Sequence, residues 1–272
     1  MSVALDAIAR DLQRAYATSV QIEAPSLRDD AFDVRAGYAV LERMHAWRLG
    51  QGWRPVGRKI GFTNVTIWER YGVDRPMWSH VWDTTVRRAD GHDASLSLAG
   101  LMEPRIEPEV VFGLASELPG GDDPERLLDA IDWIAPGFEI VHSPFPGWRF
   151  GAADCAAAFG LHGRLAVGAP LAVGPHNRTR LAAALPTFGV TLFRGAEPVE
   201  TGRGSNVLGS PLRALMHLRD LLATQPQFPA LAGGEIVTTG TITDAWPCRP
   251  GETWRADYGE LGLPPGRVTL HG

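Results

Sequence analysis

Leu5, Ile8, Leu12 and Ala15 recur at helical spacing, and Val34, Tyr38, Leu41, Met44 and Leu49 repeat the stripe further along. Such a period gathers apolar side chains on one face of a helix, so the first fifty residues are predicted to form helices. Gly50 and Gly52 end the second run, since glycine takes the left-handed conformation of a C-terminal cap at little cost. From Trp53 the pattern changes to short apolar runs punctuated by Gly and Pro. VGRKIGF, TTVRR, IEPEVVFGL, GFEIVH, GRLAVG, FGVTLF, EIVTTGTI and RVTL are each predicted as strands. Two helices interrupt them: Asp123 before Pro124 opens ERLLDAIDWI, and Ser210 before Pro211 opens LRALMHLRDLL, each with a capping oxygen ahead of proline at the first helical position.

No internal repeat, low-complexity tract or linker breaks this succession. The simplest division is a helical segment, 1–52, followed by one β-rich unit, 53–272, an α+β chain in which strands predominate. A length of 272 residues with 44% hydrophobic content is enough to bury a sizeable core. A formal charge of -5, with no long run of Lys and Arg, argues against nucleic acid as a partner. The N-terminal MSVALDAIARDLQRAYATS mixes apolar and charged residues and lacks a secretory pattern, and no run approaches the roughly 18 apolar residues of a membrane span. A cytoplasmic protein with no membrane partner is expected. Cys155 and Cys248 lie far apart without CxxC spacing and read as free buried thiols.

Chemistry concentrates in Arg105-Ile106-Glu107-Pro108-Glu109-Val110-Val111-Phe112. On a strand Glu107, Glu109 and Val111 share one face while Ile106, Val110 and Phe112 share the other. Same-side neighbours sit roughly 6.5–7 Å apart, close enough for both carboxylates to reach one cation. Glu139, between Phe138 and Ile140, would be costly as a lone buried charge. Three carboxylates would suit Mg²⁺ or Mn²⁺ better than zinc. Spacing alone leaves a solvated acidic face open as the alternative. Lys59, between Gly57 and Gly61, lies where glycine permits close approach of a ligand, and burial or a nearby cation would favour its neutral, proton-accepting form. An exposed lysine beside glycine fits that spacing equally. Thr239, Gly240 and Thr241 offer hydroxyls and backbone amides to a substrate carboxylate, although Thr and Gly are also ordinary strand and turn formers. His80, His142 and His162 have no partner at metal-ligand spacing and read as structural. Neither a Walker loop, a dinucleotide glycine fingerprint nor a nucleophile elbow is present.

Taken in order, GRKIGFTN (57–64), PRIEPEVVFGL (104–114), PGFEIVHSPFPGW (136–148), AGGEIVTTGTI (232–242) and the closing PGETWRADYGELG resemble the fumarylacetoacetate hydrolase superfamily. Within it they resemble the 2-keto-4-pentenoate hydratase and 4-oxalocrotonate decarboxylase branch, and the likeness runs over nearly the whole chain. The resemblance implies a rolled mixed sheet, a homo-oligomer, and an Mg²⁺ or Mn²⁺ site made by Glu107, Glu109 and Glu139. Lys59 falls on the lysine of the family's Lys-Ile-Gly motif and Gly61 on its glycine. The implied substrates are short 2-hydroxy-dienoic or 2-oxo-enoic acids from meta-cleavage of aromatic compounds. A hydratase would add water at C4, whereas a decarboxylase or C–C bond hydrolase would use the same cation. A complex with a related hydratase or decarboxylase, or a non-catalytic scaffold subunit, are further readings. The chain departs from the family where many hydratases read Asp-Asn-Ala-Ser-Ser: here it is Asp154-Cys155-Ala156-Ala157-Ala158. Asp154 is expected either to serve the substrate side as a carboxylate or to cap the following turn. Met77 stands where an acidic residue is common, with Trp78 next, so a more apolar substrate pocket including Trp78 is expected.

Overall fold

The computed structural model describes residues 2–272, with side chains from residue 4. The helical opening forms as α1 (Ser2–Thr18) and α2 (Val34–Gly50). Asp33 starts α2 by accepting the Ala36 N–H at 2.8 Å. The helix runs through Gly50, and the left-handed residue is Gly52, with φ 84°. Further helices are α3 (Trp68–Tyr71), α4 (Pro124–Leu128), α5 (Ala152–Ala157), α6 (Arg178–Ala184) and α7 (Pro211–Ala223). Among the described residues no helix is long and apolar enough to cross a membrane.

Every run predicted as a strand contains one. The strands are β1 (Pro55–Gly61), β2 (Met77–Trp82), β3 (Val86–Arg88), β4 (Asp93–Ser97), β5 (Arg105–Leu114), β6 (Ile131–Val141) and β7 (His162–Val167). They continue with β8 (Leu171–Ala172), β9 (Gly189–Arg194), β10 (Glu197–Arg203), β11 (Ile236–Thr238), β12 (Trp246–Pro247), β13 (Thr253–Asp257) and β14 (Gly266–His271). One expectation is corrected. The helix predicted over ERLLDAIDWI ends at Leu128, and Ile131 begins β6, which runs 11 residues. The cap at Asp123 is real, with its carboxylate accepting the Glu125 N–H at 2.9 Å. What overrides local propensity is the ladder, because β6 pairs with β5 from Leu114 to Arg105. β2 escaped notice because all six of its residues are buried, so it shows no alternation between apolar and polar positions.

The larger sheet has the order β2-β1-β11-β5-β6-β7-β3, with β12 and β8 attached to β5 and β6; the smaller is β10-β9-β13-β14-β4. Both are mixed: β1 with β11, β3 with β7 and β14 with β4 are parallel, and the remaining pairs are antiparallel. This is the curled α+β architecture expected. On one face of the larger sheet Ile60, Trp78 and Phe112 join Leu12, Leu41 and Met44 of the helices in the main core. The opposite face carries a small cluster of Val81, Val111, Ala135, Leu165, Val167 and Ile236. Strand alternation puts Lys59, Glu107, Glu109 and Glu139 on this second face, beside that small apolar floor.

Two backbone details hold the site's frame. A Cβ on Gly57 would lie 1.9 Å from the Ile236 carbonyl oxygen, so glycine is what lets β1 approach β11. Asp154, fully buried, accepts N–H bonds from Gly151 at 2.7 Å and Ser26 at 2.9 Å, and also the Ser26 hydroxyl. It therefore ties the 3₁₀ turn at Pro25–Leu27 to the start of α5. Gly57→Ala should destabilise the chain by about 1–3 kcal/mol through overpacking, read as a lowered urea midpoint. Asp154→Ala should cost about 2 kcal/mol or more by stranding buried donors, and an unchanged midpoint would refute that anchoring role.

Candidate active site

Antiparallel register sets Glu107 directly opposite Glu139, and Glu109 opposite Gly137. One oxygen from each of the three carboxylates lies within 4.8 Å of the others. Glu109 and Glu139 are wholly buried, and Glu107 is 9% exposed. Each of the two buried acids is tethered at one oxygen. Glu109 Oε2 accepts the Gly240 N–H at 2.7 Å and the Thr238 hydroxyl, leaving Oε1 without any hydrogen-bond donor. Glu139 Oε1 is held by His162 Nδ1 at 2.7 Å, while Oε2 lies 3.2 Å from the Lys59 ammonium without a well-directed hydrogen bond. Gly240 reaches its donor position at φ 96°, and a Cβ there would lie 2.0 Å from Thr63 Oγ1, so only glycine serves.

Lys59 is 2% exposed and donates from Nζ to the Gly160 carbonyl at 2.8 Å. A Cβ on Gly61 would sit 3.0 Å from that nitrogen, and one on Gly160 3.1 Å from Lys59 Cδ. Burial disfavours the ammonium, but Glu139, Glu107 and Glu109 outweigh it and hold the Lys59 pKa above its ordinary value. Without a bound cation Lys59 is thus an acid, and the neutral form expected from its sequence setting requires a second positive charge. Burial likewise raises all three carboxyls. Glu109 is pushed up to about 8, with Glu139 adding to burial and Lys59 opposing it. Glu107 is held well above its ordinary value, chiefly by burial. Glu139 shifts the same way against the pull of Lys59. The site carries more negative charge than one ammonium can offset. Glu109 Oε1 has no partner and Glu139 Oε2 faces only the Lys59 ammonium, and with Glu107 the three carboxylates offer an all-oxygen donor set that fits a hard divalent cation such as Mg²⁺ or Mn²⁺.

Lys59 and Glu107 border a narrow cavity, about 20 Å³ in volume, whose polar lining also includes Thr241. Its walls include Phe62, Tyr71, Trp148 and Leu161. Phe62, Trp148 and Leu161 all have positive φ, 54°, 58° and 64°, a strained conformation that the fold imposes around this cavity. Arg105, on the strand that bears the glutamates, stacks 4.2 Å from the Trp148 ring and bonds the Tyr71 hydroxyl.

The residues singled out in the sequence divide here. Lys59, Gly61, Glu107, Glu109, Glu139 and Thr241 come together, and the buried Thr241 hydroxyl has no partner. Thr239 donates to the Val110 carbonyl at 3.0 Å, and Gly240 serves Glu109, so neither lines the cavity. Trp78 projects from the opposite face of the sheet, where its Nε1–H donates to Gln225 at 2.7 Å. Asp154 is occupied by Ser26 and Gly151 and does not line the cavity either. Sequence reasoning missed Gly160, Thr238 and the aromatic walls, which carry no motif of their own. It also missed His162, whose pairing with Glu139 depends on β6 and β7 lying side by side.

No protein-family model matches the chain. Among curated proteins, it is 30% identical over 257 residues to a 4-oxalocrotonate decarboxylase of Pseudomonas sp, covering 94% of this chain and 95% of that one. It is 31% identical over 221 residues to a 2-hydroxyhexa-2,4-dienoate hydratase of Comamonas testosteroni, covering 80% of each. Among solved structures, the 4-oxalocrotonate decarboxylase of Pseudomonas putida G7, complexed with magnesium and adipate, superposes with a TM-score of 0.86 at 24% identity, over 99% of this chain and 98% of that one. That structural likeness extends, with lower TM-scores, to fumarylacetoacetate hydrolase family proteins. Sequence similarity along almost the full length makes this chain a member of the 2-keto-4-pentenoate hydratase and 4-oxalocrotonate decarboxylase family, on a fold it shares with fumarylacetoacetate hydrolase family proteins.

Proposed function

We propose that this chain is a divalent-metal-dependent hydro-lyase acting on a 2-hydroxy-2,4-dienoate or the corresponding 2-oxo-4-enoate, as in meta-cleavage catabolism of aromatic compounds. The observation that carries the reading is the convergence of Glu107, Glu109 and Glu139 with Lys59, two of which, Lys59 and Glu107, line a partly aromatic cavity. A Mg²⁺ or Mn²⁺ ion held by the three glutamates would supply an electron sink for the substrate's C1 carboxylate and C2 oxygen. Lys59, 3.2 Å from Glu139, is within reach to move the proton that converts the dienol to the enone. Thr241, with a free hydroxyl facing the same cavity, is a donor for a substrate oxygen. Phe62, Tyr71 and Trp148 exclude bulk water around the carbon chain.

Decarboxylation is the second reading, favoured by the cavity's aromatic walls and by the alanines at 157 and 158 in place of serines. A C–C bond hydrolase is less well supported. Among the described residues the one histidine–glutamate contact is His162 with Glu139, and His162 does not line this cavity. A scaffold role is disfavoured because the triad and Lys59 are intact, and Mg²⁺ titration that gave no binding would revive it. The same reading carries a homo-oligomer in the cytoplasm, to be checked by light scattering and cell fractionation.

Ultraviolet loss of a dienoate panel, followed with and without Mg²⁺ while trapping CO₂, separates the two chemistries. Hydration consumes the chromophore without gas, and stoichiometric CO₂ would move the assignment to the decarboxylase. Glu109→Gln should lower metal-dependent turnover by about 100-fold or more with an unchanged circular dichroism spectrum, and full activity in that variant would sink the metal site. The raised carboxyls also set a pH dependence. In the metal-free protein Glu109 binds its proton more tightly folded than unfolded, so its contribution to stability is present at acid pH and is lost as pH rises through about 8. Melting temperature in EDTA should therefore fall between the ordinary carboxylate range and pH 8, and Mn²⁺ should abolish that fall; parallel curves with and without metal would contradict it.

A further inference from the structure

We propose that a second cavity, enclosed by α1, α2, β2 and β7, is a binding site for a small aromatic monocarboxylate. Its volume is about 150 Å³, the size of an engineered protein cavity that accommodates benzene. Tyr16, Trp53, Trp82 and Phe159 supply aromatic walls, and Arg48 and Arg164 supply the charge. Arg48 lies 3.8 Å from the Trp53 ring and 4.2 Å from the Trp47 ring. Its NH1 donates to Gln51 at 3.0 Å, and its buried Nε has no partner. Arg164 donates to the carbonyls of Gly163 at 2.8 Å and Ala99 at 3.2 Å. Among the described residues neither arginine has a carboxylate within ion-pair distance.

Two half-buried guanidinium groups around one cavity, with no counter-ion, are an expensive arrangement that a bound carboxylate would relieve. Burial draws Arg48 down to about 10, and Arg164 pushes the same way, while Tyr16 opposes both. Burial also keeps His142 neutral, at about 3, so the positive charge lining this cavity comes from the two arginines. Guanidinium groups present forked donors to a carboxylate, and the indole and phenyl faces suit the flat ring attached to it. The cavity around Lys59 offers no such place to a free anion, because three glutamates surround its one ammonium. His162 lies between the two, lining this cavity and bonded to Glu139 of the other.

Isothermal titration of the full-length protein with sodium benzoate, in EDTA so that metal chelation cannot contribute, tests the assignment. Saturable binding is expected, weaker for acetate, which lacks the ring. Arg48→Gln and Arg164→Gln should each weaken benzoate by about tenfold or more, the scale of a lost charge-assisted hydrogen bond. Ala99 is exposed at the rim, so Ala99→Glu should fold normally and abolish binding by supplying an internal anion. Glu109→Gln should bind benzoate as the unaltered protein does. No saturable binding, or undiminished binding in both Arg164→Gln and Ala99→Glu, would overturn the proposal and leave the arginines as packing elements.

Discussion

Three carboxylates forced together out of water, with a single ammonium among them, are the constraint around which this chain is organised. Lys59 offsets one of the charges of Glu107, Glu109 and Glu139, and burial penalises the rest. Protonation or a cation must supply the balance. The surrounding structure keeps the pocket open to either. Thr238 and Gly240 claim one oxygen of Glu109, and His162 claims one oxygen of Glu139. A carboxylate tethered at one oxygen has its other aimed, so these hydrogen bonds orient the free oxygens as well as satisfying their partners. The ladder between β5 and β6 fixes the spacing of the acids, and the contact between β1 and β11 at Gly57 carries Lys59 to the same face.

Much of this was legible in the residues because it follows from local periodicity. The alternation along Arg105–Leu114 separates the glutamates from Ile106, Val110 and Phe112, and the structure keeps those two sets on opposite faces of the sheet. The helical stripes of α1, α2 and α7 are equally local. What the pattern could not convey are features settled by pairing between distant segments. Ile131–Ile134 has good helical credentials, yet it extends β6 because β5 offers it a ladder. Trp78 sits on a strand with no polar alternation, so the side it faces depends on its register with Ile60, and that register sends it into the core. Asp154 lies close in sequence to family motifs, but its partners come from Ser26 and Gly151 and make it a structural anchor.

The cavity's polarity bears on which chemistry the site favours. Adding water at C4 of an enone requires a water molecule held against the carbon chain, whereas releasing CO₂ profits from a dry wall that leaves the developing charge to the metal end. Thr241 is the side-chain hydroxyl among the lining residues apart from the Tyr71 phenol, and Tyr71 is already engaged with Arg105. On the proposed reading, with a cation between the glutamates, the polar end with Lys59 and Glu107 and the aromatic end with Tyr71 and Trp148 would direct an extended acid, its carboxylate toward the cation and its tail toward the rings.

Hydrogen bonding also gives the glutamate cluster a neighbour that does not share its cavity. The imidazole of His162 spans Glu139 Oε1 at 2.7 Å and Thr85 Oγ1 at 2.8 Å, so its orientation is fixed at both nitrogens. Held neutral by burial, it can donate one proton to Glu139 and accept one from Thr85, an arrangement that serves a carboxylate without adding charge beside it. A cation in that position would compete with a metal for Glu139, while a purely apolar residue would leave Oε1 unsatisfied. A neutral histidine meets both demands, and this accounts for a buried imidazole, unmarked by any spacing motif, standing behind the most enclosed oxygens of the site.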